Sequence, residues 1–170
     1  MVKKFLKIIL LLFCVHVIIH IIKYNVFIDI KVKSWIKCFE KEDADELFKS
    51  FCDDIKDNHS DETLEEIKTA FEFIDGDIVS YKYEGQGSGG AAKDNFVIIL
   101  YYCYPQFRIE TSTGKKYVID FCYNYIWKKK PEREGIESIR ITNYEGESLY
   151  SGDSVKVGIG YNHSTLKYSQ

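Results

Sequence analysis

FVIILYYCYPQFRIETSTGKKYVIDFCYNYIW, residues 96–127, decides the fold. Two runs rich in β-branched and aromatic residues flank Thr111-Ser112-Thr113-Gly114-Lys115, which suits a type I turn with Gly114 in the left-handed position of a G1 bulge. Such a turn pairs Thr111 with Lys115. It then sets Ile109 opposite Tyr117, Phe107 opposite Ile119, Pro105 opposite Phe121, Cys103 opposite Tyr123, Tyr101 opposite Tyr125 and Ile99 opposite Trp127. Every odd-numbered member is apolar or aromatic. The other face mixes Gln106, Arg108, Asp120, Cys122 and Asn124 with Tyr102, Tyr104, Val118 and Ile126. A slip of one residue would scramble this separation, so the register is strongly specified. It also sends Cys103 and Cys122 to opposite faces, where they cannot bridge.

The odd face must be covered, and the preceding residues supply the cover. No Gly or Pro occurs before Gly76. The spacing of Val32, Ile36 and Phe39 predicts a helix over about 28–41, and Leu47, Phe48, Phe51 and Cys52 a second over 43–55. Leu64, Ile67, Phe71 and Ile74 predict a third, capped by Ser60 or Asp61 and ended by Gly76. Beyond Gly76 the period changes to two, giving strands 78–83, 96–109, 117–127 and 136–144. The expected fold is α+β, with helices on the concave face of a curved, four-stranded antiparallel sheet. Val155, Val157 and Ile159 alternate with smaller or polar residues in the tail, which suits an extra edge strand or a loose end.

Gly85, Gly87 and Gly90 spell G-x-G-x-x-G behind the first strand. A dinucleotide turn needs a helix amino terminus after its glycines to hold the pyrophosphate. Only residues 91–95 precede the next strand, so the glycines read as a strand-to-strand loop and no cofactor is expected.

Four of the 23 bases precede the first acid, Asp29, leaving 19 against 26 acids in residues 24–170, a balance of −7. Phosphate binding needs clustered positive charge, so nucleic acid is an unsuitable partner. Lys3, Lys4 and Lys7 lead into an apolar run ending at Ile22; counted from Phe5 the stretch is 18 residues, about 27 Å long as a helix, just enough to span a hydrocarbon core. No small-residue cleavage site follows, which favours a retained single-pass anchor over residues 1–23 with the bulk of the chain outside. Cys14 is the one lipidation candidate, although Phe13 occupies a place that a lipoprotein signal gives to a small residue. His16 and His20 share a helix face, but no carboxylate or cysteine completes a metal shell, and no metal is expected.

Phe73-Ile74-Asp75-Gly76-Asp77-Ile78-Val79-Ser80-Tyr81, the Gly-rich loop, Thr113-Gly114-Lys115-Lys116-Tyr117 and Glu134-Gly135-Ile136-Glu137-Ser138-Ile139-Arg140-Ile141 resemble an uncharacterised family, domain of unknown function 5104. The element order is similar to the nuclear transport factor 2-like (cystatin-like, SnoaL-like) cone. The resemblance covers about residues 30–145 and implies a secreted or lipid-anchored protein of Gram-positive bacteria, with residues 24–145 as the cone and 146–170 as an extension. Relatives with this cone include both enzymes and binding proteins.

Two surfaces follow. Tyr101, Tyr123, Tyr125 and Trp127, near the open end of the hairpin, are candidates to line a pocket for a small ligand. Tyr102, Tyr104 and Ile126, outward on the other face, are candidates for a protein partner or a second copy. Asp120 falls on the wrong face for a cone acid, and His59 and His163 lack a convergent acid, so no catalytic residues are assigned. The sequence therefore favours a tethered, non-catalytic binding module outside the cytoplasm over a small-ligand binder or weak enzyme.

Overall fold

In the computed structural model, the described residues are 7, 11, 12, 14, 15, 29–85, 87, 89–95, 97–143 and 156–161. The chain divides into two units, Met1–Ser34 and Trp35–Gln170. All described residues of the first unit are helical. Among the described residues, no helix is long and apolar enough to cross a membrane. Most of the apolar run expected to do so lies outside them, with His16 and His20.

The second unit begins with helical residues 35–41, here α1. Glu42 then takes a left-handed φ of 52°, and Asp43 caps α2 (Ala44–Phe48) by accepting the Glu46 amide at 3.0 Å. The single helix expected over 43–55 is in fact two, because Ser50 and Phe51 leave helical pairing to meet a strand. Ile136 donates its amide to Ser50 O at 2.9 Å and accepts that of Cys52 at 3.0 Å. A tertiary backbone bridge has overridden the local period. The remaining helices are α3 (Asp53–Asn58) and α4 (Ser60–Phe73). His59, rather than Ser60 or Asp61, stands at the cap of α4 and makes no side-chain capping bond. Gly76 follows with φ 88°.

The sheet has seven strands, where the sequence predicts four. They are β1 (Ile78–Tyr83), β2 (Gly90–Asp94), β3 (Val97–Cys103), β4 (Gln106–Thr111), β5 (Lys116–Trp127), β6 (Gly135–Asn143) and β7 (Lys156–Gly160). All pairings are antiparallel. Three differences account for the excess. Pro105 has no amide to donate, so the long run breaks into β3 and β4, although its carbonyl still accepts the Phe121 amide at 2.9 Å. Residues assigned to the Gly-rich loop form β2 against β3, and the tail supplies β7 as an edge strand on β6.

The hairpin register holds from the turn outward as far as Tyr102↔Asn124. The Gly114 amide donates to Thr111 O at 2.8 Å with Gly114 at φ 79°, as the turn requires. Beyond Tyr102 a bulge inserts one extra residue into β5. Tyr101 then faces Ile126 rather than Tyr125, and Leu100 rather than Ile99 faces Trp127. Further shifts occur in β1 between Ile78 and Ser80, in the β2–β3 pairing beyond Ala92, where Ile99 of β3 is the extra residue, and in the β5–β6 pairing beyond Cys122. Bulges bend and twist their strands, which gives this sheet its curvature.

The core lies on the odd face. Phe107, Ile109, Tyr117, Ile119, Phe121 and Tyr123 are buried there, with Trp35, Ile36, Phe39, Leu47, Ile67 and Phe71 from the helices. The Trp35 ring lies 5.1 Å from Phe121 and 5.0 Å from Tyr123, while Phe39 lies 5.2 Å from Phe71 and 6.3 Å from Phe121. The chain is thus α+β, with helices on one face of a curved, unclosed antiparallel sheet. Its five cysteines are all free.

Candidate functional site

The bulge in β5 rearranges both surfaces expected from the sequence. Residues directly opposite on antiparallel strands share a face, so a shift of one residue exchanges faces beyond it. Tyr101 is on the core face with Cys103, and its partner Ile126 joins it there. Leu100 is on the outer face, and Trp127 joins that one. Trp127 thus leaves the expected pocket for the partner face, and Ile126 makes the opposite move.

Of the pocket candidates, Tyr123 is only 3% exposed and its ring stands edge-on to Trp35. Tyr125 and Tyr101 are half-buried and continue the series, at 6.4 Å from Tyr123 to Tyr125 and 6.2 Å from Tyr125 to Tyr101. Burial pushes the Tyr123 and Tyr101 hydroxyls above the usual phenol range, so both stay neutral. Below them, the buried Trp35 Nε1 has no hydrogen-bond partner among the described residues. Of the series, Tyr123 is a core residue and only Tyr101 and Tyr125 reach the rim.

On the outer face, Tyr104 is 41% exposed and meets the half-buried Tyr102 edge-on at 5.7 Å. Val118 is buried and contributes no surface, since Arg108 and Thr142 flank it on the neighbouring strands. The glycines of the G-x-G-x-x-G stretch serve this region structurally. No helix follows them; β2 starts at Gly90. A Cβ at Gly87 would collide with the carbonyl oxygen of Tyr104, one at Gly89 with that of Tyr102, and one at Gly90 would lie 2.7 Å from the Tyr102 hydroxyl. These positions let the backbone press onto β3. A cleft of about 220 Å³ remains between Gly87, Gly89 and Gly90 on one side and Tyr101, Tyr102 and Cys103 on the other.

A third cluster escaped sequence reading. Glu137, the extra residue of the β5–β6 bulge, is 7% exposed, and Arg133 Nε donates to its Oε1 at 2.6 Å. Cys122 Sγ lies 3.9 Å from Glu137 Oε2. The Arg133 guanidinium is 4.5 Å from the Tyr161 ring and 5.7 Å from that of Trp127. The Tyr161 hydroxyl in turn donates to Asp54 Oδ2 at 2.7 Å. The only sequence signal was an acid at one of the odd positions that Ile139 and Ile141 otherwise fill; its partner depends on a bulge that propensity does not announce.

Asp120 accepts from Gln106 at 2.6 Å and from Arg140 at 2.8 Å, which satisfies its carboxylate outside the core face. His59 lies 3.7 Å from Glu62 and 5.7 Å from the Tyr161 ring, and His163 lies outside the described residues. Cys14 is helical and exposed. Among the described residues no group of three His, Cys, Asp or Glu side chains could hold a metal ion.

The chain belongs to the family described as a domain of unknown function, DUF5104, which matches residues 34–145. Among curated proteins, none matches the chain. The matched segment holds the four helices and β1 to β6; β7 and the Tyr161 contacts lie beyond it.

Proposed function

We propose that this protein is a non-catalytic binding module outside the cytoplasm, held to the cell membrane by its amino-terminal segment, with a cone of the nuclear transport factor 2-like kind. The observation that carries the tether is the exposure of described apolar residues in the amino-terminal unit: Leu11 and Leu12 are each 63% exposed and Val15 43%. Water disfavours such a surface, and lipid would cover it. Retention as an uncleaved anchor is the form proposed; lipidation at Cys14 would serve the same end. Helices covering one face of a curved antiparallel sheet support the cone. The partner surface is the outer face at Tyr102 and Tyr104, where aromatic side chains offer large contact area at small entropic cost.

Alkaline carbonate extraction of cells making the full chain is the test. The chain stays with the membrane, Leu11→Asp/Leu12→Asp releases it, and protease added outside the cells digests the domain. Full release of the native chain by carbonate would refute the anchor. Tyr104→Ala abolishes any slower-migrating species in blue-native separation without changing the unfolding midpoint.

A second reading, a small-ligand site among Tyr101, Tyr125 and Trp35, is favoured by the unpartnered Trp35 Nε1, which a ligand acceptor would satisfy. A retained mass in native mass spectrometry, lost on denaturation, would establish it.

A further inference from the structure

The end of the sheet where β5 finishes is unlike the rest of the domain. Trp127 is followed by Lys128, Lys129 and Lys130, all exposed and, among the described residues, in no ion pair. The three lie in a tight turn: the Lys128 amide donates to Ile99 O and the Lys130 amide to Trp127 O, each at 2.9 Å. Lys130 Nζ stands 5.6 Å over the Trp127 ring. On the neighbouring strand Val97, 49% exposed, comes before Leu100, the partner of Trp127, and so extends to the same end. Of the nearby acids, Glu134 accepts the Trp127 amide at 2.7 Å, while Asp94 and Glu132 are exposed at the margin. A run of lysines without ion pairs, beside the exposed Val97 and the half-buried Trp127 indole, stands out in a chain with a balance of −7 over residues 24–170.

We infer that the turn Trp127–Lys130, with Val97, is a membrane-facing surface that rests on anionic phospholipid headgroups. The inference rests on the tethered reading above, which keeps the domain beside a bilayer. Lysines supply attraction to anionic headgroups, and an indole suits the interface between apolar and wet layers.

The full chain, reconstituted into phosphatidylcholine vesicles with or without phosphatidylglycerol, is labelled briefly with an amine-acylating reagent and mapped by mass spectrometry. A lysine at an anionic surface gains about 1 kcal/mol, roughly a fivefold preference. Labelling of Lys128, Lys129 and Lys130 should fall about fivefold on the anionic vesicles alone and recover in high salt, while exposed Lys82 is unchanged. Equal labelling on both vesicles, with the chain bound to each, overturns the inference and leaves the tether standing. Failure to bind neutral vesicles refutes the tether; protection on anionic vesicles would then still support the lysine surface, and its absence would overturn it. Equal protection by a nucleic acid duplex without lipid overturns the assignment to lipid.

Discussion

Glu137 shows what a single side chain can demand of a fold. A carboxylate so nearly withdrawn from water is tolerable only with its charge matched, and Arg133 supplies the match. Arg133→Met should lower the unfolding free energy by about 3 kcal/mol in urea titration, because it strands the acid. The double variant Arg133→Met/Glu137→Leu should recover most of that loss; if it is no more stable than the single variant, the pair is not the cause. The thiols give a second residue-level expectation. Burial pushes Cys38 and Cys122 up to about 11, and Cys52 and Cys103 are buried as well. At neutral pH only Cys14 should react with iodoacetamide in the native chain, unless a lipid already occupies it. All five should react in urea. Gly114 was legible in the sequence because turn chemistry is local. The Glu137 partner was not, because a bulge fixes it.

At the level of elements, hydrophobic period located most strands and the third helix, and tertiary contacts set what it missed. The second helix splits where Ile136 claims the backbone around Phe51, and Tyr125 enters β5 as the extra residue that exchanges Trp127 with Ile126. Period could not announce either event, since both leave the apolar pattern intact. β7 is held by its ladder to β6, by the Gly160 amide donating to Glu66 Oε2 at 2.8 Å and by Tyr161. Ile159 is fully buried within it. Ile159→Ala should cost about 3 kcal/mol in the same titration. The Tyr161–Asp54 bond also sets a pH dependence. It holds the Asp54 carboxyl below the usual carboxylate range, while burial first, and then Asp54, lifts the Tyr161 hydroxyl to about 12. Asp54 therefore stabilises above its unfolded pKa, and that contribution is lost as pH falls through its depressed folded value. Tyr161 stabilises below its unfolded pKa of about 10, and that contribution is lost as pH rises towards its folded value. Tyr161→Phe should lower the unfolding midpoint most between these limits, with the gap to the native chain closing below about pH 4. A gap independent of pH would mean that the hydroxyl bond is not responsible.

For the molecule as a whole, fold class and helix cover could be read from the sequence because they follow from one hairpin with a single apolar face needing a lid. The binding surface could be read only in part, because its membership turns on which way β5 faces after its bulge. Lengthening any strand pairing beyond the molecule is another matter. The two outermost strands on the hairpin side are β1 and β2, each paired on one side only among the described residues. β1 is bulged at Val79, β3 is bulged at Ile99 where it pairs with β2, and the two outer strands carry Lys82 and Lys93. A kink and a charge on the same rim oppose the flat backbone-to-backbone docking that seeds fibrils. Concentrated preparations should therefore resist growth into amyloid despite a chain with 13 Tyr and 11 Phe.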